Sequence, residues 1–156
     1  MTFRIHALPV EPFRPLFLMD EAALATIGAV RMTAIAPNSA PCRVSLIDAA
    51  PGEALLLLNH RHLAAPASPY RSEGPVFVRE NAIPATPEPG VVPDMLSRRL
   101  LSMRAYDAAA MMIDADVVEG ADLASRLLAW FENPAVDLIQ IHTARRGCFM
   151  AEARRA

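Results

Sequence analysis

Residues 103–153 read MRAYDAAAMMIDADVVEGADLASRLLAWFENPAVDLIQIHTARRGCFMAEA, and the hydrophobic period changes twice within them. Across 121–133, Leu123, Leu127, Trp130 and Phe131 recur at the spacing of one helical face, and Pro134 ends the run. Before this helix, 111–118 alternates as a strand does. Met111, Ile113, Ala115 and Val117 share one face, and Asp114 and Asp116 share the other, where they read as a solvated acidic pair. After it, the apolar runs 136–143 and 148–153 flank Arg145-Arg146-Gly147, a hairpin signature. Strand, helix and antiparallel pair without βαβ alternation place the chain in the α+β class.

Outward from this stretch the remaining elements follow. Residues 3–8 alternate as a short strand, and Pro9, Pro12 and Pro15 then impose an extended connection. Asp20 caps a helix over 21–27 that Gly28 stops, and 29–36 is a strand closed by the turn cluster 37–41. Residues 42–47 and 53–59 read as two arms of a hairpin around Asp48-Ala49-Ala50-Pro51-Gly52. The leucines of the second arm suggest a strand covered on both faces. A strand over 74–79 leads into a proline-rich loop over 81–94; 95–101 reads as a helical turn and 103–107 as a strand. The expectation is one domain over 1–156, a mostly antiparallel sheet of about seven strands with two or three helices.

Composition removes several function classes. The chain has 156 residues, with 15 arginines, no lysine, 17 acidic side chains and a formal net charge of −2. That balance argues against an electrostatic nucleic-acid binder, and the absence of lysine removes Schiff-base and lysine-base chemistry. With 29 alanines and 14 prolines alongside, GC-rich coding is the simplest cause of the arginine excess. The longest apolar run, 54–58, is far below the ~20 residues of a membrane-spanning helix, and no leader pattern opens the sequence. Two distant cysteines, Cys42 and Cys148, fit reduced thiols in a cytoplasm; a long-range disulfide between them stays open. No cofactor motif is present: there is no Gly-rich phosphate loop, nucleophile elbow or CxxC pair.

Three constellations could carry chemistry. Arg43, Arg71, Arg79 and Arg104, interleaved with Tyr70 and Tyr106, could converge on a small anion, because guanidinium binds oxyanions bidentately and a phenol can orient them. The plainer reading gives each arginine a local carboxylate such as Asp48, Glu80 or Asp107. His60 and His62, two apart on a strand, would share a face and could hold a metal with His142, Cys42, Cys148 or an acidic residue. The start resembles a cupin metal pattern, but Leu63-Ala64-Ala65-Pro66 stands where a glutamate is wanted; the plainer reading is a polar strand end. Cys148, near Arg145 and Arg146, could be a nucleophile with His142 as base, against the plainer reading of an unreactive thiol.

Several motifs together resemble one family. They are Pro41-Cys42-Arg43-x-Ser45-Leu46-x-Asp48-Ala49 with Gly52-Glu53, Leu57-Leu58-Asn59-His60, Pro69-Tyr70-Arg71 with Gly74-Pro75-x-Phe77-Val78-Arg79, Arg104-Ala105-Tyr106-Asp107-Ala108, and Gly147-Cys148-Phe149. The chain is identified as a member of the bacterial family named domain of unknown function 1203, a likeness running from about Phe3 to Arg154. It implies a stand-alone bacterial domain and carries over no catalytic residue. The leading expectation is therefore a small-molecule-binding domain whose Arg/Tyr side chains hold an anion. A His-metal or Cys-nucleophile enzyme is the alternative, and a homodimer through an exposed strand edge is a third class.

Overall fold

Eight strands and three helices form two antiparallel sheets in a computed structural model that describes residues 1–156. The predicted terminal hairpin is its centre. β7 (Leu138–Thr143) and β8 (Phe149–Arg155) pair around the turn at Gly147, whose φ of +74° is one that glycine adopts without strain. β1 (Phe3–His6) adds beside β8, and β5 (Leu100–Tyr106) then β6 (Met112–Glu119) add beside β7, giving the order β1-β8-β7-β5-β6. α3 (Leu123–Phe131) buries Leu123, Leu127 and Phe131 against one face, in a core with Leu101, Met103, Ile139 and Ile141. Removing each of those three side chains from water contributes about 1.5–3 kcal/mol.

The second sheet has the order β2-β3-β4, from β2 (Val30–Thr33), β3 (Ala54–Leu63) and β4 (Ser72–Arg79). β3 is central and covered on both faces, as its leucines suggest: Leu55 packs with Ala34, Ala40 and Ala49, and Leu56 and Leu58 pack with Val76, Val78 and Phe149. Asp20 caps α1 (Glu21–Thr26) by accepting from the Ala23 N–H at 2.8 Å. α1 buries Leu24 in that same core.

Four expectations are corrected. Residues 42–47 are not the first arm of a hairpin, because β2 and β4 occupy both edges of β3. They form a tight loop instead, with Leu46 donating to the Cys42 carbonyl and Leu46 itself at φ +51°. The strands belong to two sheets rather than one. The turn expected over 95–101 is only α2 (Asp94–Ser97), since Leu100 already pairs with Glu119. Finally, the apolar face read on 111–118 is exposed at Ile113 and Val117, because β6 is an edge strand. Asp114 and Asp116 lie on the α3 side, where Asp116 meets Arg126 at 3.1 Å.

Gly120, at the end of β6, has no room for a side chain. A Cβ there would lie 2.1 Å from the Leu96 carbonyl oxygen, and its N–H donates to the Arg99 carbonyl at 2.7 Å. Gly120 thus seats the corner between α2 and β5 that presents Arg98 and Arg99. Gly120→Ala is expected to lower stability by about 2 kcal/mol or more, as overpacking against rigid backbone does. A urea-unfolding midpoint unchanged from wild type would show that the corner yields.

Candidate functional site

The loop before β3, the β4 strand, the α2–β5 corner and the β7–β8 turn meet at one cleft of about 300 Å³. Arg43, Arg99, Arg146, Thr143, Cys148 and Phe77 supply its walls, with Asn38, Ser39 and Pro41 completing them. A larger hollow of about 450 Å³ lies between β6 and α3, but its charged lining is Glu119, Asp122 and Arg126, and Arg126 is already paired with Asp116. Size alone does not make it the better site; the smaller cleft has the convergent polar groups.

Each wall has a local cause. Asn38 sits at φ +57°, a left-handed conformation asparagine tolerates, and its carbonyl accepts from Arg99 Nη2 at 2.9 Å. Arg99 is held in a two-point pair, its Nη1 and Nη2 donating to Asp48 Oδ2 and Oδ1 at 3.0 and 2.5 Å. In the β7–β8 turn, Thr143 N–H donates to the Cys148 carbonyl at 2.9 Å, and Cys148 N–H donates to Thr143 Oγ1 at 3.2 Å. That arrangement uses the Thr143 oxygen as an acceptor and leaves its O–H to donate.

Arg43 differs from its neighbours. It is 2% exposed, and its side chain donates from Nε to the Phe149 carbonyl at 2.7 Å and from Nη1 to the Pro41 carbonyl. No carboxylate pairs with it; Asp48, which faces it, is already held by Arg99. Burial pushes its guanidinium down to about 10, against the pull of Cys148 and Cys42, so it stays cationic at neutral pH.

The other residues singled out from sequence do not converge here. Arg79 grips Glu53 and also donates to Ser45 Oγ at 3.3 Å, which holds the Glu53 carboxyl below its ordinary range. Arg71 lies in a separate hollow with Arg61, Ser72 and Glu73. Tyr70 and Tyr106 form their own pair, ring centres 6.2 Å apart, and Tyr106 is buried beside Arg104. Burial is the main cause that raises the Tyr106 phenol. Only Arg43 of the six lines the cleft. Arg99, Arg146 and Thr143 were missed, although a signal existed in the doublets Arg98-Arg99 and Arg145-Arg146. Leu101 pairs with Thr143, so the two doublets stand at the same end of adjacent strands.

The histidines divide in the same way. His62 and His142 meet edge to face at 5.0 Å, whereas His60 turns to Phe13 at 5.8 Å. His62 Nδ1 and Gln140 Oε1 lie 2.9 Å apart, and Gln140 Nε2 donates to the His62 carbonyl at 2.7 Å. His142 Nδ1 lies 2.9 Å from the Gly147 carbonyl, which accepts only, so that nitrogen carries the proton. Its Nε2 faces Gln140 Oε1 at 3.3 Å. Neither nitrogen is directed at the Cys148 thiol, so the base-and-nucleophile pair considered from sequence is not assembled. No group of three or more His, Cys, Asp or Glu side chains is placed to hold a metal ion. Cys42 and Cys148 are both free thiols, Cys42 buried and Cys148 half-buried.

Burial holds His142 down at about 3 and also lowers His60 and His62. Below pH 6.5 the unfolded chain takes up protons that the native state refuses. Stability is therefore expected to fall as pH drops through the range about 6.5 to 5, with a slope near 1.4 kcal/mol per pH unit for each such imidazole once its unfolded form is protonated. His142→Gln should make that slope shallower. Urea unfolding across this window, with carboxylates still ionised, checks it; equal slopes for variant and wild type would contradict the assignment to His142.

Comparisons bear on the whole chain. No helix is long and apolar enough to cross a membrane. No curated protein and no solved structure matches the chain. The sequence model of the family described as "Protein of unknown function (DUF1203)" matches residues 39–155, a span that includes every wall of the arginine cleft but Asn38, and the chain belongs to that family.

Proposed function

We propose that the protein binds a small anionic molecule in the cleft formed by Arg43, Arg99 and Arg146. The observation that carries this reading is Arg43, a cation almost sealed from water with no carboxylate of its own. Removing a charge from water costs several kcal/mol unless an opposite charge or a full set of hydrogen bonds offsets it. Two backbone carbonyls satisfy part of the guanidinium, and an oxyanion in the cleft would supply the missing negative charge. Arg99 is already neutralised by Asp48, and with its Nη hydrogens on Asp48, Met95 and Asn38 it forms a fixed wall. Arg146 is exposed at the rim and free to close on the ligand. The Thr143 hydroxyl adds a neutral donor, and Phe77 and Pro41 offer apolar contact to a ligand's organic part. The volume, about 300 Å³, is at the small end for ligand sites. A reducing cytoplasm suits the binding, because the Cys148 thiol on the wall would there stay unmodified.

Cys148 also provides the test. Cys42 is fully buried, so alkylation of the folded protein reports on Cys148 alone. Inorganic phosphate is expected to slow iodoacetamide labelling of Cys148 saturably, beyond the effect of chloride at matched ionic strength. Arg146→Gln should weaken that protection by roughly tenfold, the worth of one charge-assisted contact. Identical labelling in phosphate and chloride would overturn the proposal.

A further inference from the structure

A second cleft adjoins the first. It measures about 320 Å³ and is lined by Arg98, Arg99, Leu100, Thr143 and Arg145. Arg99 and Thr143 belong to both clefts, so the two share a wall rather than sitting on opposite faces. We infer that the ligand carries two oxyanion groups, one held by Arg43 and Arg146 and the other by Arg98 and Arg145, with Arg99 between them. Its class is a diphosphate or a small bisphosphorylated compound. This inference rests on the anion-binding reading above.

Charge supports the two-group ligand. Five arginines surround the joined clefts, and two carboxylates answer them. Asp48 is committed to Arg99 in a half-sealed pair, and Asp94 meets Arg98 only at 3.8 Å with its own side chain 91% exposed. An exposed pair at that separation contributes little. Three guanidinia, those of Arg43, Arg145 and Arg146, have no carboxylate partner, and they are divided between the clefts. A single small anion seated beside Arg43 leaves Arg145 unanswered. A second oxyanion in the adjoining cleft engages it, while Arg99, its Nη hydrogens taken by Asp48, Met95 and Asn38, stands between the two as their shared wall.

The strand pairing fixes this arrangement. Ala144 N–H donates to the Leu100 carbonyl at 3.1 Å, which locks the Arg145-Arg146 turn beside the Arg98-Arg99 corner. Asn38 Oδ1 accepts from Arg98 Nη1 and ties the loop of the first cleft to the second. The β5–β7 register therefore holds the two clefts side by side.

The test compares inorganic phosphate with pyrophosphate by protection of Cys148 in wild type, Arg145→Gln and Arg98→Gln. Arg145 is the cleaner position because its side chain has no ion pair to lose. Pyrophosphate is expected to protect wild type at a concentration at least tenfold lower than phosphate. In Arg145→Gln that advantage should fall severalfold while phosphate protection stays unchanged, and Arg98→Gln should follow the same pattern. If pyrophosphate is no better than phosphate in wild type, the two-group inference fails and the single-anion reading stands. If the advantage persists in both variants, it arises from charge in the first cleft alone, and the inference is again overturned. If neither anion protects, both readings fall.

Discussion

Arg43 is the point at which the two sheets are tied together. Its backbone N–H donates to the Phe77 carbonyl on β4, its carbonyl accepts from Leu8 beyond β1, and its guanidinium donates to Phe149 on β8 and to Pro41. Three other chain segments therefore meet at one residue, a fourth contact stays within its own loop, and none of those contacts involves an acid. A neutral side chain of similar size would keep the packing and lose the donors that reach the Phe149 carbonyl on β8 and the Pro41 carbonyl of its own loop. Burying that cation without a carboxylate requires negative potential from elsewhere, and the cleft beside it opens in the direction from which it can come.

A second polar contact crosses between the sheets, beside the apolar packing of Phe149 on Leu56, Leu58, Val76 and Val78. His62, Gln140 and His142 form a connected chain of contacts across the gap, with Phe149 stacked on His62 at 5.1 Å. The contrast is chemical. Imidazoles can be buried neutral, and burial enforces that form here, whereas a guanidinium cannot shed its charge at neutral pH. The histidine layer therefore closes on itself as a structural seam, and the arginine group faces a cavity.

The arginines show how local pairing decides role. Arg79 and Arg99 each find a carboxylate in two-point geometry, Glu53 and Asp48. Arg79 is consumed by its pair within the smaller sheet. Arg99 is oriented by its pair and still lines the clefts. The residues closest in sequence to tyrosines, Arg71 in the loop before β4 and Arg104 beside Tyr106 on β5, do not line the cleft. Adjacency along the chain is thus a poor guide to convergence when the groups sit on different strands.

Local period and turn chemistry were legible in the sequence. The α3 stripe, the β7–β8 hairpin, the Asp20 cap and the two-sided burial of β3 all follow from spacing rules that act within a few residues, and together they specify the α+β class. What the sequence could not supply is which strand lies beside which. That choice depends on packing between segments far apart in the chain: it placed residues 42–47 as a loop, left β6 at an edge with Ile113 and Val117 in water, and separated His60 from His142. It also brought Arg98-Arg99 beside Arg145-Arg146 through the β5–β7 register. The composition carried the arginines, but only the long-range pairing of strands turned some of them into ion pairs, one into a buried tie and a few into the walls of a cleft.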